Sequence, residues 1–203
     1  MSITSARTPA SEAGAASAAG SPAILRAGYA TVAVMAVLAL VRGALAVIWY
    51  RETLWKLPWK NYGCPADFSL KSSGLCDWIG REIAHPPFEL YHSMLVHIIG
   101  PNIRIVGLGV WLGEIIVAAL LLLGLFTRLG GLLGTLQALN LLIGLWNVPG
   151  EWHSAYLMLF ALNLIFLVIP AGRFLGVDQF LLPRVAPAAA RGNFMARVLA
   201  WLM

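Results

Sequence analysis

One carboxylate stands inside an otherwise hydrocarbon-like stretch. From Trp111 to Arg128 the chain reads as a membrane-crossing segment, apolar without a break from Ile115 to Leu123, with Glu114 set into it. A charged carboxyl at mid-helix in a bilayer costs roughly 2.5 kcal/mol or more, so it faces a partner, a cavity or water. Arg42 is the only basic residue deep inside another apolar run, and it is the expected partner. Counted from the outer helix ends, Arg42 lies roughly 12 Å deep and Glu114 roughly 16 Å, at ~1.5 Å per residue. Gln137, Asn140 and Asn163 fall in the same slab. These five side chains from four segments are expected to meet. Two readings fit: interhelical hydrogen bonds that fix packing, or a polar pocket for a quinone headgroup or a proton path.

Cys64 and Cys76 are the only cysteines. In an oxidising compartment they form a disulfide; the alternative is a redox-active pair. They make no Cys-x-x-Cys motif. His92 and His97 stand five apart, which splays them on a helix, and Pro86-Pro87 separates His85 from both. The three read as interface histidines rather than metal ligands. Lys56, Lys60, Lys71, Arg81 and Arg104 read as interface anchors, with binding of a small anion as the alternative.

Composition says what holds these groups. Of 203 residues, 60% are hydrophobic and 11% charged, against ~25% charged in an ordinary soluble domain. An integral membrane protein follows. The net charge of +5 does not point to nucleic acid, because the basic residues are scattered at the ends of apolar runs. Residues 1–23 are mostly Ala, Ser, Gly, Thr and Pro, cannot bury a core and are expected to be disordered. The first apolar run starts late and lacks a cleavage-type end, so it is expected to act as an uncleaved anchor.

Four spans are predicted: about Ala27–Tyr50, Ile103–Phe126, Leu129–Trp146 and Trp152–Ile169. The fold class is therefore all-α, a four-helix transmembrane bundle with a long extracytoplasmic insertion, residues 51–102, between helices 1 and 2. Within the insertion, Pro86-Pro87 and the apolar spacing from Phe88 to Ile99 predict an amphipathic helix lying on the membrane and ending at Gly100-Pro101. Gly109 with Gly113, and Gly130 with Gly134 and Ala138, give small-xxx-small spacing and predict close helix packing. The chain is divided into a disordered segment 1–23, a membrane domain 24–182 and a basic interfacial tail 183–203. The last dozen residues of that tail are expected to form an interface helix. Four spans put both termini on one side, with Arg7, Arg26, Arg128, Arg173, Arg184, Arg191 and Arg197 against Glu12 and Asp178. That side is expected to be the cytoplasm of a bacterial or archaeal cell.

The residues also resemble a known family. Gly113-Glu114, then Leu-Leu-Gly-Leu-Phe-Thr-Arg ending at Arg128, then Ala171-Gly-Arg-Phe-Leu-Gly-Val-Asp178, look like the DoxX/DoxD family of small four-helix membrane proteins. Arg42 and Lys56 match its first-helix arginine and following lysine. Trp55-Lys-Leu-Pro58 and Gly74-Leu-Cys-Asp-Trp78 resemble the DoxD branch. The likeness covers roughly residues 36–182, leaving out the N-terminal segment and the tail. It implies the larger subunit of a membrane thiosulfate:quinone oxidoreductase, with a separate, smaller DoxA-like partner. Two thiosulfates become tetrathionate and two electrons pass to quinone. Under that resemblance Lys56, Lys60 and Arg81 would meet the thiosulfate dianion. Quinone, the electron acceptor, would enter from the lipid, and Glu114 and Arg42 would position it or manage its protons. A thiosulfate adduct on Cys64 or Cys76 is the guess for electron transfer, since no metal, haem or flavin signature is visible. The competing expectation is a non-catalytic accessory subunit of a larger respiratory or photosynthetic complex, in which the Arg42–Glu114 pair is structural.

Overall fold

The computed structural model describes residues 22–65 and 71–203. The expected disorder at the N-terminus falls outside these residues but for the first two. The chain divides into two units, Met1–Met35 and Ala36–Met203. Of the first, only the opening part of helix α1 (Pro22–Thr53) is described. The second unit carries everything below. Among the described residues all regular structure is helical.

Two helices are long and apolar enough to cross a membrane. They are the part of α1 from Thr31 to Thr53 and α4 (Ile103–Leu123), with mean hydropathies of 2.3 and 2.4. Twenty-one residues at ~1.5 Å each cover a ~30 Å hydrocarbon core. Only 17% and 28% of their apolar windows are buried within the protein, whereas the core helix of a soluble protein is mostly buried. Leu40, Ile105 and Leu122 are examples of large apolar side chains on these helices turned outward. Helices α5 (Thr127–Gly144) and α6 (His153–Val168) have 18 and 16 residues, which is roughly 27 and 24 Å.

A single apolar core joins these four helices. Leu45, Ala46 and Trp49 come from α1, Val117, Ala118 and Leu121 from α4, Ala138 from α5 and Phe166 from α6. Helices α5 and α6 lie closest. A Cβ on Gly131 would fall within 2.5 Å of the Phe166 carbonyl carbon, so only glycine permits this approach. Gly130 packs on Leu120 and Leu121, and Gly134 on Asn163. Gly109 departs from the expected packing: a Cβ there would meet nothing within 4 Å.

Between α1 and α4 the chain forms a turn at Pro58–Gly63, then α2 (Gly74–Ala84) and α3 (Glu89–Met94). A disulfide between Cys64 and Cys76 ties the turn to α2, with Cα atoms 5.1 Å apart. The expected amphipathic helix does not run unbroken to Gly100. After α3 it widens into a π turn over Leu95–Ile99, closed by Gly100 N–H donating to the Leu95 carbonyl at 2.8 Å. Pro101 has no N–H to continue it. After α6 come a short turn at Ala171–Arg173, α7 (Asp178–Ala190) and α8 (Phe194–Leu202). The Asn193 side chain caps α8 by accepting from Ala196 N–H at 3.1 Å. Helix α7 runs through the boundary drawn at residue 182. Arg128 and Arg173 donate to the carbonyls of Trp201 and Ala200, which fastens α8 back onto the ends of α5 and α6.

Helices α1 and α4 run antiparallel and are offset along their axes. The Trp111 indole donates to the Thr53 carbonyl at 3.2 Å, so the end of α1 meets the third turn of α4. The first two turns of α4 project past α1 and pack on the Pro58–Gly63 turn, where Tyr62 donates to the Arg104 carbonyl at 3.1 Å.

Candidate functional site

The offset decides which cation Glu114 meets. The chain leaves α1 at Thr53 and turns inward, and Lys56 is buried beside α4 with 3% of its surface exposed. Its ammonium pairs with the Glu114 carboxylate, itself 2% exposed. Glu52 approaches the same ammonium at 3.9 Å. The expected Arg42–Glu114 pair is absent. The expectation takes the helix ends as level, but α4 is displaced along its axis by roughly two turns relative to α1. Glu114 Oε2 is buried and has no hydrogen-bond partner among the described residues.

Glu114 and Lys56 line a cavity of ≈1200 Å³. Typical ligand pockets are ~300–1,000 Å³, mostly apolar with a few placed polar groups. The walls fit that description: Leu133, Leu136, Leu141, Leu159 and Leu162 with Gln137 and Asn140. Gln137 stands beside Gly113, where a Cβ would lie 2.9 Å from its Nε2. So Glu114, Gln137 and Asn140 do converge, with Lys56, on one cavity.

The insertion forms the other end of the cavity wall. Leu75, Ile79 and Glu82 share one face of α2 and all line it. Tyr91 on α3 donates to Glu82 Oε2 at 2.8 Å, and each residue is 7% exposed. Burial pushes the Glu82 carboxyl above its usual range, and the Tyr91 hydrogen bond offsets part of that. Burial first, then the neighbouring Glu82, raise the Tyr91 hydroxyl. Tyr156 on α6 also lines the cavity and donates to Glu151 at 2.6 Å. The acidic liners are therefore Glu52, Glu82 and Glu114, against Lys56 as the one basic liner among the described residues. Such a wall suits a neutral ligand and repels a dianion.

Arg42 lies elsewhere. Its guanidinium donates to the carbonyls of Ala171 at 3.1 Å and Leu175 at 2.7 Å. Gly124, at φ 60°, ends α4 against it, and a side chain there would collide with the guanidinium. Asp178 is fully buried and accepts from Phe126 N–H at 2.7 Å, Thr127 N–H at 3.1 Å and the Thr127 hydroxyl at 2.9 Å. Val177 and Asp178 N–H donate to the carbonyls of Leu123 and Gly124, both at 3.0 Å. The Gly-Leu-Phe-Thr-Arg and Ala-Gly-Arg-Phe-Leu-Gly-Val-Asp motifs thus form one polar knot with Arg42. The knot satisfies the backbone groups left free where α4 stops and α5 starts.

The remaining candidates scatter. Asn163 is buried, accepts from the Trp49 indole at 3.2 Å and donates to the Leu159 carbonyl at 2.7 Å, without lining the cavity. Lys60 is exposed. Arg81 is half-exposed and pairs with Asp77 at 3.0 Å and Glu151 at 4.0 Å. Lys56 is consumed by Glu114, so the three cations do not assemble into one anion site. Cys64 and Cys76 are bonded to each other. His92 lies 3.6 Å from Glu89, and His153 contacts the Trp146 carbonyl at 2.6 Å. No group of three or more His, Cys, Asp or Glu is placed to hold a metal among the described residues. Sequence reasoning missed Glu82 and Tyr91. The available signal was an acid in helical register with Leu75 and Ile79.

A family model described as "TQO small subunit DoxD" matches residues 76–198, or 123 of the 203 residues. The chain belongs to the DoxD family. Together with the two apolar helices, this makes it a membrane protein. One expectation is corrected. The family description names DoxD the small subunit, not the larger one. The match also runs through most of the tail, which the resemblance had left out, and stops short of Arg42 and Lys56. That extension has a structural basis, since α8 is bonded to the helix ends through Arg128 and Arg173. Neither curated proteins nor solved structures match the DoxD chain.

Proposed function

We propose that this DoxD chain is a membrane subunit of a thiosulfate:quinone oxidoreductase and that its cavity takes the quinone. The observation that carries the reading is the buried Lys56–Glu114 pair, with one carboxylate oxygen unpartnered, on the wall of a large apolar cavity. In this reading α1, α4, α5 and α6 all cross the membrane as a four-helix bundle, and quinone enters from the lipid. As electrons arrive, Lys56 donates a hydrogen bond toward a quinone oxygen, and the proton held by the Lys56–Glu114 pair passes to it from the ammonium. The acid-rich wall argues that thiosulfate binds outside the cavity. Lys60, exposed and without an ion-pair partner among the described residues, remains for it, and a separate DoxA-like subunit completes that site. The Cys64–Cys76 disulfide supports an insertion on the oxidising side of a bacterial or archaeal cytoplasmic membrane, with both termini in the cytoplasm.

A second reading is an accessory subunit that docks on a larger membrane complex. It is favoured by the knot around Arg42 and Asp178, which puts Arg42 and the two motifs at 124–128 and 171–178 to structural use away from the cavity. Gly109→Phe separates the two. Position 109 lines the cavity with free space around it, so the ring fills the cavity and leaves the fold intact. Membranes containing the chain and its partner subunit should reduce a short-chain quinone with thiosulfate, and Gly109→Phe should raise the quinone KM by on the order of tenfold or more. Parent membranes without thiosulfate-dependent quinone reduction would move the assignment to the accessory role.

A further inference from the structure

The Glu82–Tyr91 pair is a buried titratable group to which the reading above gives no task. Glu82 has no cation partner among the described residues; its hydrogen bond comes from Tyr91 at 2.8 Å. A buried carboxylate without a cation is costly, and the inexpensive form of such a group is the neutral acid. Asp178, fully buried, shows the contrast, since it accepts from three donors. Glu82 has one. The pair is also firmly placed. Gly144 of α5 backs it, and a Cβ there would lie 2.5 Å from the Tyr91 hydroxyl oxygen and 2.7 Å from Glu82 Oε2.

The cavity connects this pair to Glu114. Gln137, Asn140 and Gly144 follow one another on one face of α5, at spacings of three and four residues. Gln137 stands at the level of Gly113 and Glu114, and Gly144 at the level of Glu82 and Tyr91. The two levels are about 10 Å apart, seven residues at ~1.5 Å each. Asn140, between them, lines the same space. The other titratable groups facing it are Glu52, Lys56 and Tyr156, the last bonded to Glu151.

We propose that Glu82 and Tyr91 form a second proton-exchange site of this cavity and supply one of the two protons taken up when quinone is reduced. This rests on the quinone reading. Quinone, two electrons and two protons give quinol; the electrons come from two thiosulfates joining as tetrathionate. One proton comes from the Glu114 side. For the other, the Tyr91 hydroxyl turns from Glu82 to a quinone oxygen, its O–H bond breaks as the proton passes over, and the Glu82 O–H, turned to face it, gives its proton to the Tyr91 oxygen. Glu82 is left as a carboxylate and regains a proton from the aqueous face that carries the insertion. Buried carboxyls raised toward neutrality suit this work.

The test uses the chain with its partner subunit in liposomes, with Glu82→Gln and Tyr91→Phe beside the parent. Infrared difference spectra are taken on adding decylubiquinone. The parent should show the carbonyl stretch of a protonated acid, displaced by the quinone and missing from Glu82→Gln. Absence of that band in the parent overturns the proposal. In turnover, both variants should bind decylubiquinone as the parent does. They should reduce it on the order of tenfold or more slowly, with a larger solvent deuterium effect. If Glu82→Gln does not fold, Tyr91→Phe decides alone. An active parent with undiminished variants removes this proposal and leaves the quinone reading standing. A parent that reduces no quinone removes both.

Discussion

The Lys56 ammonium and the Glu114 carboxylate form a buried ion pair, at 4% and 2% side-chain exposure, although they stand 58 residues apart in the chain. Lys56 has already left α1, whereas Glu114 is in the middle of α4. The pair therefore couples the entry to the insertion with the centre of a membrane-type helix. Glu114 lines the cavity and keeps one oxygen without a hydrogen-bond partner among the described residues.

Removing one member of this pair leaves the other charge buried alone. Lys56→Met or Glu114→Gln should each cost about 3–5 kcal/mol of stability, read as a lower melting temperature in detergent. Replacing both, with Lys56→Met and Glu114→Leu, should recover most of that loss. The recovered double variant should fold and yet reduce no quinone. Full turnover by that variant would end the assignment of the Lys56–Glu114 pair as a proton donor.

Asp178 is predicted to be structural. Asp178→Ala strands two backbone N–H groups and the Thr127 hydroxyl, each at about 1–3 kcal/mol. Asp178→Asn keeps an acceptor and should lose less. Thermal melting ranks the two, and residual turnover per folded molecule should equal the parent's in both. A selective loss of turnover in Asp178→Asn would assign the knot a role in chemistry.

The Cys64–Cys76 bond closes a short loop, a sequence separation of 12. Loop-closure entropy predicts a loss of about 3 kcal/mol for the double serine variant. Turnover per folded molecule should be unchanged, which would eliminate a thiosulfate adduct on either sulfur. After reduction, an impermeant thiol reagent should label both cysteines in intact cells. Labelling that requires lysis would invert the topology proposed for the insertion.

Glu82 should leave a mark on stability as well as on turnover. Its folded pKa is raised above the ordinary 4.5 by burial. The native state thus holds a proton that the unfolded chain releases, and stability falls as pH rises from the unfolded value through the folded one. Melting temperature against pH should decline across that window in the parent and run flatter in Glu82→Gln. Parallel profiles would show that Glu82 is charged in the folded protein.

Much of the fold was legible because it follows from local rules. Unbroken apolar runs at ~1.5 Å per residue mark α1 and α4 as membrane-length helices whatever their neighbours. Low charge excluded a soluble domain. Pro86-Pro87 and Gly100-Pro101 bracketed α3 and its π turn, since proline ends a helix by lacking a donor. The two motifs at 124–128 and 171–178 pointed to the family on residue identity alone. They did not reveal that they bind each other, because nothing in either stretch names its partner.

What the sequence determined by itself was composition, helix positions and the presence of one costly acid, Glu114, inside hydrocarbon. Those are properties of single segments. Its partner was decided by tertiary structure. The offset of α4 against α1 took Glu114 away from Arg42 and gave it to Lys56, a displacement along two parallel axes that no single helix encodes. The same packing folded α2 and α3 over the cavity and buried Glu82 against Tyr91. Burial is set by what surrounds a side chain. Whether an acid in a polar insertion is a solvated surface charge or a neutral proton donor is therefore settled only when the helices come together.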